Sequence, residues 1–120
     1  MAHCELQLTT YRYLNYGCWC GYGGAHTPVD AIDTCCMHHD DCYGEAFDSG
    51  KCSGDWDVYN THYKWDCYDH VAVLLGTQGP CQTTLFECDK AAVKCWGLYP
   101  APSLYRKVWC VHNDTMPSLA

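Results

Sequence analysis

The stretch Asp33-Thr34-Cys35-Cys36-Met37-His38-His39-Asp40-Asp41-Cys42-Tyr43-Gly44 decides how this chain folds, because it places a histidine, a carboxylate and three cysteines within a few helical turns. At helical spacing His39 lies on the same face as Cys35 and Cys42, while Asp40 lies on the adjacent face. The pattern predicts a helix that presents an imidazole and a carboxylate side by side on a scaffold stapled by disulfides.

The cysteine content predicts that the protein is secreted. Twelve of the 120 residues are cysteines, which indicates a disulfide framework formed in an oxidising compartment. The paired C-x-x-C spacing of zinc knuckles is absent, so structural zinc is disfavoured. A chain of this length has room for one core, and residues 1–120 are therefore predicted to form a single domain.

The charge is strongly acidic and unevenly spread. The net charge is −7, and residues 30–69 hold ten of the fourteen acids against only Lys51 and Lys64. This balance disfavours nucleic acid as a partner and favours a cation, although a solvated acidic face would also explain most of the carboxylates. The longest apolar run, Val71 to Leu75, is far too short to cross a membrane, so no transmembrane segment is predicted.

Two helices are predicted from their start and stop signals. The first has Thr27 as its cap and runs from Pro28 to about Phe47, before the stop Ser49-Gly50. The second begins at Gly79-Pro80 and ends at Trp96.

A seven-residue gap separates two cysteines in each predicted helix: Cys35 and Cys42 in the first, and Cys88 and Cys95 in the second. This gap is about 10.5 Å along a helix axis, so two disulfides can join the helices like rungs of a ladder. Antiparallel and parallel arrangements both satisfy the spacing, with opposite pairing. In the antiparallel arrangement His39 lies between the rungs and Asp89 is its neighbour.

Between the helices the sequence predicts a small β-hairpin. Residues 59–67 alternate aromatic or apolar side chains with polar ones, which is the period of a strand. Residues 71–75 supply the returning strand.

Three motifs, in order, resemble the secreted calcium-dependent phospholipases A2 of the pancreatic and elapid venom type, with the character of an invertebrate member. Residues 35–42 match the active-site helix C-C-x-x-H-D-x-C, Tyr16-Gly17-Cys18-Trp19-Cys20-Gly21-Tyr22-Gly23-Gly24 matches the calcium loop, and Glu87-Cys88-Asp89-Lys90-Ala91-Ala92 matches the second helix. The match spans roughly residues 4 to 110. It implies a mainly α, disulfide-rich fold with two antiparallel disulfide-linked helices, a glycine-rich calcium loop and a small β-hairpin.

The resemblance also implies the disulfide pairing. The six implied pairs are Cys4–Cys67, Cys18–Cys110, Cys20–Cys36, Cys35–Cys95, Cys42–Cys88 and Cys52–Cys81. A further bridge of the family, between the hairpin and the second helix, is missing, because Phe86 stands where one of its cysteines would be.

The resemblance assigns His39 as the general base that takes a proton from water, and Asp89 as the carboxylate that fixes its tautomer. Tyr43 and Tyr63 match tyrosines that hydrogen-bond this aspartate. His38 points about 100° away from His39 on a helix and is predicted to lie on the surface.

One calcium ion is implied as the cofactor. Its expected ligands are the backbone carbonyls of Trp19, Gly21 and Gly23 together with the carboxylate of Asp40. Trp19 replaces a more common tyrosine, but its ligand is the backbone.

The implied function is calcium-dependent hydrolysis of the sn-2 acyl ester of glycerophospholipids at a membrane or micelle interface. The alternatives are a catalytically weak or silent, toxin-like binding module on the same fold, and a disulfide-rich inhibitor. The presence of His39, Asp40 and Asp89 together favours the enzyme.

Both ends depart from the family pattern. The first helix of the family is largely missing, since only Met1-Ala2-His3 precedes Cys4, and a partner chain could supply it. Residues 111–120 form a C-terminal tail with a glycosylation sequon at Asn113. The aromatic residues expected to contact a membrane are Tyr11, Tyr13, Trp19 and Tyr22.

Overall fold

In a computed structural model, the described part of the chain folds around the long helices Ala31–Asp48 and Pro80–Trp96, with a hairpin between them. The structure describes residues 1–21, 24–53 and 61–111. The elements are α1 (Ala2–Leu6), a 3-10 turn (Thr10–Arg12), α2 (Ala31–Asp48), β1 (Trp65–Tyr68), β2 (Val71–Leu74) and α3 (Pro80–Trp96). The mainly α, disulfide-rich fold class is confirmed.

Helix α2 begins later than the sequence predicted. Asp30 is the N-cap, and its carboxylate accepts a hydrogen bond from the backbone N–H of Asp33 at 2.9 Å. The prediction that Thr27 caps this helix is wrong, because the N–H of Val29 bonds to the Asp33 side chain at 2.9 Å and holds the preceding residues outside the helix. An aspartate is also a stronger cap than a threonine.

Helices α2 and α3 run antiparallel. Cys35 near the start of α2 bonds to Cys95 near the end of α3, and the second rung joins Cys42 to Cys88. Helix α3 has the predicted bounds, with Gly79 as its N-cap. The equal spacing of the cysteines is what allows two straight helices to be joined twice without bending either one.

All twelve cysteines form disulfides. The six pairs are those that the family resemblance implied: Cys4–Cys67, Cys18–Cys110, Cys20–Cys36, Cys35–Cys95, Cys42–Cys88 and Cys52–Cys81.

The hairpin is shorter than predicted. Strands β1 and β2 are antiparallel over four residues each and are joined by a two-residue turn, Asp69-His70, with both φ angles positive. The last cross-strand backbone bond runs from the Leu75 N–H to the Lys64 carbonyl at 3.0 Å. The Lys64 N–H donates instead to the side chain of Gln78 at 3.0 Å, and the Gln78 amide donates to the Lys64 carbonyl at 2.8 Å, so the pairing of the two strands ends here. Residues 59 and 60 of the predicted strand lie outside the described part of the chain.

Packing and polar contacts connect β2 to α3. Phe86, at the position of the missing bridge, is buried against Ala72. The Ala72 carbonyl accepts from Lys90 Nζ at 2.6 Å, and its N–H donates to Glu5 at 3.1 Å. The contacts of Phe86 and Lys90 hold together the same two elements that the additional disulfide of the family would join, and the bond to Glu5 attaches β2 to α1.

The N-terminal segment closes the core at the end of α3. Tyr13 is buried and its ring stacks on that of Trp96, with 4.0 Å between ring centroids. The expectation that Tyr13 contacts a membrane is therefore wrong, whereas Tyr11 is exposed. In the described ranges no helix combines the length and apolar character that crossing a bilayer requires.

Candidate functional site

The centre of the site is a histidine and an aspartate that face each other from the two long helices. His39 Nε2 lies 2.6 Å from Asp89 Oδ1. The two disulfide rungs lie on either side of this pair, so the distance between the helices is fixed where the side chains meet. Rigid support of this kind is what a positioned proton-transfer group requires.

Two tyrosines complete the surroundings of Asp89. Tyr43, one helical turn after His39, donates its hydroxyl to Asp89 Oδ1 at 2.6 Å. Tyr63, in the segment before β1, donates to Asp89 Oδ2. The structure thus brings together the four residues that the sequence predicted to interact here, and it leaves His38 exposed on the surface.

The hydrogen bonds determine the ionisation of this group. Burial alone would raise the pKa of Asp89, but the donors His39, Tyr43 and Tyr63 outweigh burial and lower the pKa below its ordinary value. Burial and the bond to Asp89 raise the pKa of Tyr63, so its hydroxyl keeps the proton that it donates. At neutral pH the carboxylate is ionised and all three donors point at it.

The orientation of the imidazole follows from the same contacts. Since Asp89 accepts at Nε2, the neutral ring of His39 carries its proton there and has its lone pair on Nδ1. Nδ1 lies 4.0 Å from Asp40 Oδ1, and the His39 side chain is 28% exposed. A proton acceptor is therefore available to solvent beside a second carboxylate.

Asp40 lies between this imidazole and the glycine-rich loop. Burial raises the pKa of its carboxyl, which is the environment of an acid that a nearby cation would stabilise. A Cβ placed on Gly24 would lie 2.4 Å from the Trp19 ring and 2.9 Å from Asp40 Oδ2. Only glycine lets the loop backbone come this close to the carboxylate.

Backbone hydrogen bonds determine the direction of a predicted ligand in the loop. The N–H of Cys20 donates to the carbonyl of Tyr16 at 3.1 Å. Because N–H and C=O point in opposite directions across a trans peptide, the Trp19 carbonyl faces away from Tyr16. The Trp19 carbonyl is therefore not used in this turn and remains a potential oxygen ligand.

Disulfides attach the loop to the rest of the site. Cys20 is bonded to Cys36 of α2, the helix that carries Asp40, and Cys18 is bonded to Cys110. Trp19 and Gly21 belong to the described part of the loop, whereas the predicted ligand Gly23 lies outside it. Over residues 1–21, 24–53 and 61–111 no three His, Cys, Asp or Glu side chains cluster as a metal site. A cation here would depend on backbone carbonyls beside Asp40.

Sequence reasoning missed one buried carboxylate. Asp33 has no exposed surface and accepts hydrogen bonds from the backbone N–H groups of Cys18, Trp19 and Val29. The only signal was an acid in the first turn of a helix, which usually indicates a favourable interaction with the helix dipole. Nothing in the sequence indicated that its carboxylate oxygens would accept hydrogen bonds from the loop, where the donor Cys18 lies fifteen residues earlier.

Comparisons with known proteins identify the family of this chain. The phospholipase A2 family model matches residues 1–106. The basic phospholipase A2 beta-bungarotoxin A-AL3 chain of Bungarus multicinctus is 42% identical over 89 residues, which are 74% of this chain and 62% of that relative. The chain thus matches less than two thirds of the length of this relative. With three motifs, six disulfides and a match over nearly its whole length, the chain belongs to the phospholipase A2 family.

Proposed function

We propose that this protein hydrolyses the sn-2 acyl ester of glycerophospholipids in a calcium-dependent reaction and releases a fatty acid and a lysophospholipid. The observation that carries the proposal is the 2.6 Å contact between His39 Nε2 and Asp89, which leaves Nδ1 as a proton acceptor beside Asp40. The proposal rests on family membership for the reaction type and on this geometry for the roles.

His39 is the general base. Its Nδ1 accepts a proton from water as the water oxygen bonds to the ester carbonyl carbon. The ionised Asp89 stabilises the imidazolium that results, and the two tyrosines hold the carboxylate in place. When the bond between the acyl carbon and the glycerol oxygen breaks, the imidazolium returns the proton to the leaving oxygen. Water is the nucleophile, because every cysteine is bonded in a disulfide and no serine of the sequence lies in the G-x-S-x-G elbow of a nucleophilic serine.

Calcium fits the donor set of the loop. Hard cations prefer oxygen ligands, and the carbonyls of Trp19, Gly21 and Gly23 with the carboxylate of Asp40 would hold one ion. When bound, the ion supplies positive charge that stabilises the negative charge developing on the ester carbonyl oxygen. The close approach of Gly24 to Asp40 supports this assignment, because a side chain at that position would fill the space.

The site of action follows from the substrate and the disulfides. A phospholipid substrate implies work at a membrane or micelle interface, and six disulfides imply an extracellular protein. The relative from Bungarus is named as a toxin chain, which keeps the alternative of a binding module with weak or no turnover.

A turnover assay tests the proposal. Vesicles of a phospholipid labelled in the sn-2 chain should release labelled fatty acid with calcium, stop with chelator, and resume with calcium but not with magnesium, which demands a stricter octahedral geometry. Equal rates in chelator would refute the calcium requirement. Calcium binding without release of fatty acid would favour the binding module.

A further inference from the structure

The most deeply buried charged side chain of the described residues takes no part in the proposed reaction. Asp33 is 0% exposed and lies in the first turn of α2. Its Oδ2 accepts from Cys18 N–H at 2.8 Å and Val29 N–H at 2.9 Å, and its Oδ1 accepts from Trp19 N–H at 2.7 Å. Three charge-assisted bonds and the N-terminus of the helix compensate for the loss of hydration.

Two of these donors belong to the glycine-rich loop. The N–H groups of Cys18 and Trp19 are consecutive and both point at Asp33, while the next N–H, that of Cys20, points at Tyr16. Three successive peptide groups are therefore fixed in direction. The Trp19 carbonyl belongs to the last of them, so its orientation depends on the turn that Asp33 holds.

The loop backbone and the Asp33 carboxylate are in close contact. Gly17 has a φ of +61°, and a Cβ at this position would lie 2.5 Å from Asp33 Cγ. Glycine is required here both by the backbone conformation and by the contact. The turn and the carboxylate are therefore built around each other.

We propose that Asp33 is a positioning residue for the proposed calcium site, which orients the loop before the ion binds. The inference rests on the proposed function, because it concerns the same loop. A preorganised site binds its ion more tightly, since less ordering of the backbone accompanies binding. The residue that directs the Trp19 carbonyl therefore sets calcium affinity without contacting calcium.

The test is the calcium affinity of Asp33→Asn, measured by titration calorimetry without lipid. Asparagine has nearly the same size but offers one acceptor oxygen, and its amide N–H groups face a donor of the loop. We expect the dissociation constant to rise about 10- to 100-fold, as for other outer-shell partners of metal ligands. Asp41→Asn is the matched control, because Asp41 is exposed but its charge acts on Asp40. It should change the affinity far less.

A second readout does not depend on calcium. In chelator, the amides of Cys18, Trp19 and Val29 should exchange slowly with deuterium in the wild-type protein and fast in Asp33→Asn. Amides in the middle of α3 should stay protected in both proteins. This pattern separates a local loss of loop order from general destabilisation.

Two results would overturn the role of Asp33. The first is obtained when the wild-type protein binds calcium and a folded Asp33→Asn protein binds it with the same affinity. If Asp33→Asn does not fold, Gly17→Ala is used, because it disturbs the same contact from the loop side. The second overturning result is a calcium affinity of Gly17→Ala that equals that of the wild-type protein. A wild-type protein that binds no calcium refutes the proposed function as well, so the two failures are distinguishable.

Discussion

Tyr63 donates its hydroxyl to Asp89 Oδ2, the carboxylate oxygen that His39 and Tyr43 leave free. The ring of Tyr63 also packs edge-on against Phe86, with 5.4 Å between centroids. One side chain therefore connects the His39–Asp89 pair to the apolar contact between the hairpin and α3.

The hydroxyl of Tyr63 should contribute to stability separately from its ring. Tyr63→Phe keeps the ring contact and removes one hydrogen bond to a partly buried carboxylate, so we expect the free energy of unfolding to fall by about 1.5–3 kcal/mol. Urea unfolding at neutral pH measures the change. Tyr68→Phe is the control, since Tyr68 is exposed. Equal effects of the two substitutions would contradict the assigned bond.

The hydrogen bonds to Asp89 predict a specific acid sensitivity. Its pKa is lower in the folded protein than its ordinary value, 3.8, so the unfolded chain binds more protons between the two values. The ionised carboxylate therefore adds stability above the ordinary pKa, and this stability is lost as pH falls through the folded pKa. Asp89→Asn should flatten the pH dependence of the unfolding free energy as pH falls from just above the ordinary pKa of 3.8 through the lower pKa of the folded state. An unchanged slope would show that Asp89 is not held ionised by its donors.

His39→Gln should separate chemistry from calcium binding. We expect turnover to fall about 10²-fold or more, because the proton acceptor is lost. The calcium dissociation constant should hardly change, since no ligand is removed. His38→Gln provides the control one residue away on the exposed side of α2. Loss of activity in that variant instead would mean that the wrong histidine has been assigned.

Asp40→Lys should abolish both calcium binding and turnover, because an ammonium group replaces the only charged ligand of the proposed set. Asp41→Lys places the same charge on the neighbouring exposed position and should keep both properties, with weaker binding from repulsion. Calorimetry and fatty acid release check the two outcomes together. Calcium binding by Asp40→Lys would show that the ion binds at another site.

Exposed aromatic side chains near the loop should contribute to vesicle binding. Trp109 is 73% exposed and pairs through its backbone with Gly17, at the start of the loop. Trp109→Ala should weaken binding to phospholipid vesicles in a sedimentation assay, since tryptophan favours the headgroup layer. Leu75→Ala, an exposed apolar position after the hairpin, is the control. Equal binding by all three proteins would exclude Trp109 from the docking surface.

Much of the fold could be predicted because its signals are local. Gly79-Pro80 and Gly97 mark the two ends of α3, and the equal cysteine gaps in the two helices predict their double attachment. The pairing of His39 with Asp89 follows once the helices are antiparallel, because both residues then lie between the two disulfides. Family resemblance supplied the direction that spacing left open.

The parts that failed depend on contacts between distant residues. Two residues could cap α2, and Thr27 does not, because the Val29 N–H bonds to the Asp33 carboxylate, which the distant loop also holds through the N–H groups of Cys18 and Trp19. The strand ends early because the Lys64 N–H donates to a side chain fourteen residues away, that of Gln78, and not to the facing strand. From the sequence alone Tyr13 is expected to be exposed, but in the fold α3 places the ring of Trp96 against it. No local pattern contains this information.

The missing bridge between the hairpin and α3 has a consequence for how the molecule opens. The hairpin is tied covalently to α1 by Cys4–Cys67, but β2 is held to α3 by the packing of Phe86 and the bond from Lys90. We expect α1 and the hairpin to detach as one cooperative unit, at a lower free energy than global unfolding. Because Tyr63 packs on Phe86, each such excursion would also withdraw a donor from Asp89. The population of this open state then sets the fraction of molecules in which His39, Tyr43 and Tyr63 all contact Asp89.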